Sequence, residues 1–199
     1  LREIEFERST TSLNCNVWHK PLVSIILLTH FNYSDFIKDA ILSVLNQTHE
    51  NWELVVVDDA SSREHRDQLE HILSELSDPR IRYLPLSKNV GQILAFFAGL
   101  EITHGHFVCP LDPDDRYTPT FIEKALAAHL NPYVICPILS TDQYLLNRQG
   151  LISGVLQIRI KNLNGRRNKI VPFDCHEKQQ IFILSQLTYQ AGIGARHQA

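Results

Sequence analysis

The stretch Leu54-Val55-Val56-Val57-Asp58-Asp59 decides the reading of the fold. Three of its apolar residues are β-branched, the run does not alternate, and it stops at two adjacent carboxylates. Such a run is too short for a helix and apolar on both faces, the pattern of a strand buried on both sides of a parallel sheet. Upstream, Leu22-Val-Ser-Ile-Ile-Leu-Leu28 has the same character and ends at the polar turn Thr29-His-Phe-Asn32. Downstream, Ile81-Arg-Tyr-Leu84 reads as a third strand. Phe107-Val-Cys-Pro-Leu111 reads as a fourth and runs straight into Asp112-Pro-Asp-Asp115.

Helical spacing fills the intervals. Phe36, Ile37, Ala40, Ile41, Val44 and Leu45 predict a helix over 35–47 with Ser34 as its N-cap. A second helix is expected over 63–76. A third is expected over 92–102, entered through Asn89-Val-Gly91 and closed by Gly105. A fourth is expected over 119–130, with Thr118 and Pro119 as N-cap and first helical residue. Beyond 131 the pattern suggests strands at 134–139, 151–160 and 169–173 and a helix at 176–188. Strand–helix alternation predicts an α/β fold: a Rossmann-like, open and mostly parallel sheet with helices on both faces. Residues 1–20 read as a leading arm and 21–199 as one domain.

Composition narrows the function. The 199 residues carry a net charge of −3, which gives no broad basic footprint for nucleic acid. No apolar run approaches the ~18–20 residues of a membrane span. Cys15, Cys109, Cys136 and Cys175 form no close pair, so neither a zinc site nor a disulfide scaffold is read. Cys109 and Cys136 lie in apolar runs, where a thiol packs as a small hydrophobe. Trp18 and Trp52 are expected to pack as well. A cytoplasmic setting is expected. The chain begins Leu-Arg-Glu and contains no Met, so a piece of a longer protein is expected.

In open parallel sheets, ligands sit outside the carboxyl ends of the strands. There the sequence places Thr29-His-Phe-Asn32, Asp58-Asp59 and Asp112-Pro-Asp-Asp115. Closely spaced carboxylates repel one another unless solvent or a cation screens them. Oxygen ligands suit Mg²⁺ or Mn²⁺, and Mg²⁺ commonly takes only one or two protein carboxylates and completes its shell with phosphate and water. The last loop can therefore clamp a metal–phosphate group. The same residues can equally form a solvated turn that caps the next helix. Asp58-Asp59 can accept from a ribose hydroxyl or a base N–H, or make an ordinary Asx turn.

Taken in order, Ser24-Ile-Ile-Leu-Leu-Thr-His-Phe-Asn-Tyr-Ser-Asp-Phe-Ile, Ser43-Val-Leu-Asn-Gln-Thr48, Glu53-Leu-Val-Val-Val-Asp-Asp-Ala-Ser61, Asn89-Val-Gly91 and Leu111-Asp-Pro-Asp-Asp115 make a stronger pattern. Over residues 21–130 the chain resembles the family-2 glycosyltransferases of GT-A fold. The resemblance implies inverting transfer of a sugar from a nucleotide-diphosphate donor, a UDP-sugar favoured, to a hydroxyl of a saccharide or lipid-linked acceptor. Residues 21–130 would form the donor and metal half, and 131–199 the acceptor half. Thr29 and Phe31 would line the nucleoside pocket. Asp59 and Asp58 would hold base and ribose. Asn89 and Gly91 would shape the donor loop. Asp114 would bind Mn²⁺ or Mg²⁺ directly, and Asp112 would reach the ribose or the metal's water shell. Asp115 would support or cap. A lipid-linked acceptor would go with peripheral association at the inner face of the membrane.

The chain also departs from the family pattern. Ala95-Phe-Phe97 stands where members often carry Ala-Arg-Asn, and no Glu-Asp pair follows the acidic loop. Asp174 and Glu177 are the base candidates. The missing pair supports an alternative, a degenerate GT-A domain that binds nucleotide or a protein partner without turnover. A sugar-1-phosphate nucleotidyltransferase would want a Gly-rich, basic loop after the first strand, and Thr29-His-Phe-Asn32 is not one.

Overall fold

The computed structural model describes residues 20–30, 34–130, 139, 141, 143–147, 151–156 and 182–183. Strands β1 (Val23–Thr29), β2 (Trp52–Asp58), β3 (Ile81–Pro85) and β4 (Phe107–Leu111) alternate with helices α1 (Ser34–Leu45), α2 (Arg63–Leu76) and α3 (Gln92–Glu101). Helix α4 (Phe121–His129) follows β4. After it come β5 (Gln143–Leu146), β6 (Ile152–Leu156) and β7 (Phe182–Ile183).

The main sheet has the order β3-β2-β1-β4-β7, and its neighbours pair in parallel. Strand period sorts the side chains to two faces. Ile25, Leu27, Leu54 and Val56 face α1, α2 and α4 through Ile37, Ile41, Leu69 and Ile122, all essentially buried. Ile26, Val55, Val57 and Val108 face α3 through Ala95. The expected two-faced α/β architecture is therefore present. Helix α3 approaches the sheet closely at Gly99, where an added Cβ would lie 2.8 Å from Val57 Cγ2 and 2.9 Å from Ile26 Cγ2.

Several boundaries differ from expectation. Ser34 is the first residue of α1 rather than a flank. Helix α4 starts at Phe121 after Thr120, because Thr118 closes a turn onto the Phe121 N–H instead of capping. Helix α3 ends at Glu101. Gly105 serves a different purpose there: its N–H donates to Ser24 Oγ at 2.8 Å, and a side chain would collide with β1. The strand expected over 151–160 is β6, which pairs antiparallel with β5, a partner the sequence reading did not foresee. The strand expected over 134–139 and that over 169–173 fall on residues outside those described, apart from Leu139, which is not in a strand. Within the helix expected at 176–188, Phe182 and Ile183 instead form β7 against Phe107 and Val108, so pairing at the β4 edge overrides local helical propensity there. Trp52 is buried as expected, with the Arg80 guanidinium 3.6 Å over its ring.

Candidate functional site

Register brings three strand ends side by side. Thr29 pairs with Asp58, and Leu27 pairs with Leu111. The segments after β1, β2 and β4 therefore leave the sheet along one rim. Backbone bonds extend the ladder past the strands: Asp59 N–H donates to Thr29 O at 2.9 Å, and Leu86 N–H donates to Asp58 O at 2.8 Å.

Asp58 is fully buried. One carboxylate oxygen accepts from the Ser61 N–H at 3.0 Å. The other accepts from Arg66 Nε at 2.8 Å and from the Tyr83 hydroxyl at 3.1 Å. Burial pushes its pKa up, but the hydrogen bonds from Ser61 and Tyr83 and the Arg66 charge outweigh it and hold the carboxyl below the usual range. Arg66 also donates to Leu86 O at 2.8 Å. Asp58 thus joins β2, α2 and β3, with both oxygens engaged inside the protein.

Asp59 reaches the other way. Its carboxylate accepts the N–H of Val90 at 2.7 Å and that of Gly91 at 2.8 Å. Its carbonyl accepts from His30 Nδ1 at 3.0 Å, and the Asn89 amide lies 3.0 Å from His30 Nε2. Gly91, the N-cap of α3, sits at φ +83°, a conformation open to glycine and strained for a residue with a Cβ. Asp59, Asn89 and Gly91 are thereby brought together in one linked loop pair. Between the two carboxylates and α2, Ala60 adopts φ +58° without being glycine.

Thr29 is buried, and its hydroxyl lies 3.0 Å from His65 Nε2. His65 is itself 3% exposed, and its Nδ1 has no hydrogen-bond partner among the described residues. Burial lowers the His65 pKa, against the pull of Asp58, and His30 adds to the lowering. His65 and Arg66 were missed in the sequence. They follow Ser62, which caps α2 by accepting the His65 N–H. A capping pattern would have located the turn, but not the partners across the sheet. Phe31, Asp174 and Glu177 lie outside the described residues.

The acidic loop follows β4. Asp115 N–H donates to Asp112 O at 3.1 Å and closes a turn. Asp114 is exposed, and Asp112 and Asp115 are half-buried. Burial first, and then the Asp114 charge, raises the Asp112 pKa. Burial, with Asp112 and Asp114 beside it, pushes Asp115 up to about 6. Arg116, next along the chain, pairs with Asp39 at 3.1 Å rather than with the loop. Among the described residues no arginine or lysine forms an ion pair with these carboxylates. Nor do three His, Cys, Asp or Glu side chains converge into a cage. An acidic tip of hard oxygen donors without a protein counter-charge fits a divalent cation that takes few protein ligands.

Behind the loop, Tyr117 is buried and donates its hydroxyl to Pro110 O at 2.6 Å, with Cys109 Sγ 3.0 Å away. Burial pushes the Cys109 thiol up to about 12, so it packs as an inert, neutral group. No helix among the described residues is long and apolar enough to cross a membrane.

Comparison with known proteins agrees with this geometry. A mannosyltransferase of Pyrobaculum calidifontis, solved with GDP-mannose and Mn²⁺, shares the fold at a TM-score of 0.52 and 20% identity, over 58% of this chain and 34% of that one. That architecture is the GT-A fold. TuaG of Bacillus subtilis, named for glycosyl transfer in teichuronic acid biosynthesis, is 40% identical over 107 residues, 54% of this chain and 41% of its own length. WfgD of Escherichia coli, a UDP-Glc:α-D-GlcNAc-diphosphoundecaprenol β-1,3-glucosyltransferase, is 37% identical over 109 residues, 55% of this chain and 41% of its own. The chain therefore spans less than half the length of these relatives. The model of glycosyl transferase family 2 matches residues 24–182, most of the sequence, and the chain belongs to that family.

Proposed function

We propose that this chain carries the donor half of an inverting, divalent-cation-dependent glycosyltransferase that moves a sugar from a nucleotide diphosphate, a UDP-sugar first among candidates, to an acceptor hydroxyl. The observation that carries the reading is the rim on which β2, β1 and β4 end, with Asp59 on one side and, on the other, the Asp112–Asp114 loop, which no arginine or lysine among the described residues pairs with. Family membership and the nucleotide-sugar ligand of the fold neighbour support it.

In this reading Asp59, Asn89 and Gly91 shape the nucleoside pocket with Thr29 and Phe31. Asp58 serves it from behind by fixing the strand end. Asp114 holds Mn²⁺ or Mg²⁺, and Asp112 contacts the ribose or the ion's water. A bound cation stabilises charge on the departing diphosphate as a Lewis acid, worth several kcal/mol. The acceptor oxygen forms its bond to the anomeric carbon as the bond to phosphate breaks on the opposite face. Its proton passes to a carboxylate, Asp174 or Glu177. WfgD's diphosphoundecaprenol acceptor supports a saccharide or lipid-linked acceptor, and with it action at the cytoplasmic face of a membrane. The place of such a reaction is polysaccharide or glycoconjugate synthesis.

The test is UDP binding, and hydrolysis of a panel of nucleotide sugars, with and without Mn²⁺. Cation-dependent binding with slow donor hydrolysis is expected. Binding indifferent to EDTA would remove the cation clamp. Cation-dependent binding with no turnover on any donor or acceptor would mark a binding module instead.

A further inference from the structure

The motif Ser43-Val-Leu-Asn-Gln-Thr48 has no place in donor chemistry as described so far, yet its side chains are tied to the segment just beyond the acidic loop. Gln47 lies two residues past the end of α1 and is 6% exposed. Its Nε2 donates to Ser43 O at 2.9 Å and to Thr118 O at 2.8 Å. Its Oε1 accepts the Ile122 N–H at 3.1 Å. An amide offers two donor hydrogens and an acceptor oxygen, so both donors are used and the orientation is fixed: reversing it would set oxygen against two carbonyls. Ser43 adds a second tie. Its hydroxyl donates to Ala40 O at 2.6 Å and accepts the Tyr117 N–H at 3.1 Å.

These bonds close the base of the acidic loop. On the upstream side, the Tyr117 hydroxyl holds Pro110 O, two residues before Asp112. On the downstream side, Ser43 and Gln47 hold Tyr117 and Thr118, a few residues after Asp114. The loop carries like charges that repel one another and turns Asp114 out to solvent, so its position is set from its base. Buried polar networks that are fully satisfied specify one arrangement, and partly satisfied ones do not.

We propose that Gln47, seconded by Ser43, is a positioning residue for the cation-binding loop. It sets the place of Asp112 and Asp114 through Tyr117 and Thr118 without touching donor or metal. This rests on the reading of that loop as the cation site.

The experiment titrates Mn²⁺ into UDP binding for the wild type, Gln47→Glu, Gln47→Leu and Leu69→Ala, with thermal melting of each. Glu is nearly isosteric and loses the paired donors, whereas Leu loses every bond. Leu69, buried on α2, is a stability control on another element. The expected result is a Mn²⁺ midpoint raised about 10- to 100-fold in both Gln47 variants, the range for groups that orient metal ligands, and unchanged in Leu69→Ala despite its lower melting temperature. Should Gln47→Leu not fold, Ser43→Ala carries the same test with a smaller shift. Gln47 and Ser43 variants that melt earlier but keep the wild-type midpoint overturn the proposal, as does an equal shift in Leu69→Ala. A wild type whose UDP binding ignores Mn²⁺ overturns the cation reading itself, and this inference with it.

Discussion

Asp59 and Gly91 are joined by a direct bond, the glycine N–H lying 2.8 Å from a carboxylate oxygen whose twin accepts the neighbouring Val90 N–H at 2.7 Å. One side chain at the end of β2 thereby sets the entry to α3. Asp59→Ala leaves both N–H groups without that acceptor, at a cost of about 1–3 kcal/mol for each that stays shielded from water. The expected outcome is a lower melting temperature together with weaker UDP binding. Asp59→Asn, which keeps one acceptor, should fall between. Calorimetric binding and thermal melting on the same samples check this.

Asp114→Ala should separate binding from stability. The side chain is exposed and stands among like charges. Its removal should change stability by no more than about 0.5 kcal/mol, the usual scale for surface positions. Mn²⁺-dependent UDP binding should be lost. Retained binding with a wild-type Mn²⁺ midpoint would move the ion's ligand elsewhere.

Stability should fall with acid in two stages. His65 has a folded pKa below its unfolded value, so below about 6.5 the unfolded chain takes up the proton first and the native state loses ground. Above that pH the contribution is fully present. Asp58 and Glu53 are also lowered, in each case against burial, through hydrogen bonds and nearby arginine. Their contribution is present above the unfolded carboxylate range and is lost as pH falls through their folded values. Asp115, raised to about 6, works in the opposite sense, with stability rising as pH falls below that value. The difference between wild type and His65→Gln, melted from pH 7.5 to pH 5, cancels the carboxylates. That difference should itself slope, the wild type losing stability relative to the variant as pH falls below about 6.5, and a flat difference would mean that His65 takes up its proton alike in both states.

Ala60→Gly should stabilise the protein. A left-handed backbone costs a residue with a Cβ about 1–2 kcal/mol, and glycine returns part of this through its freer unfolded state. A net gain of about 0.5–1 kcal/mol is expected, a rise of roughly 1–4 °C for a chain this size. An unchanged or lower melting temperature would mean that the turn holds Ala60 without strain.

The sheet was legible because its strands are short apolar runs cut off by polar turns, and helix α2 was placed at 63–76 to the residue. Reading failed where a partner distant in sequence decides. Thr118 and Pro119 look like a helix start, but their carbonyls are spoken for by Gln47 and by the Thr48 N–H, so α4 begins later. Phe182 and Ile183 became strand because β4 offered an edge. At the site, the strand-end carboxylates could be located from the sequence, but their tasks could not. Nothing in Asp58-Asp59 tells which one turns inward to Arg66 and Tyr83 and which reaches out to Gly91. That division depends on where α2, β3 and α3 pack.

Gly99 gives remote control over the rim. Helix α3 rests on Val57 and Ile26 through a residue with no side chain, and Gly91, eight residues earlier, is its N-cap, about 12 Å away at helical rise. A methyl group there would act as a wedge under a lever. Tilting α3 off the sheet would drag Gly91 from Asp59, so on the proposed reading a substitution buried under the helix would register as weaker UDP binding.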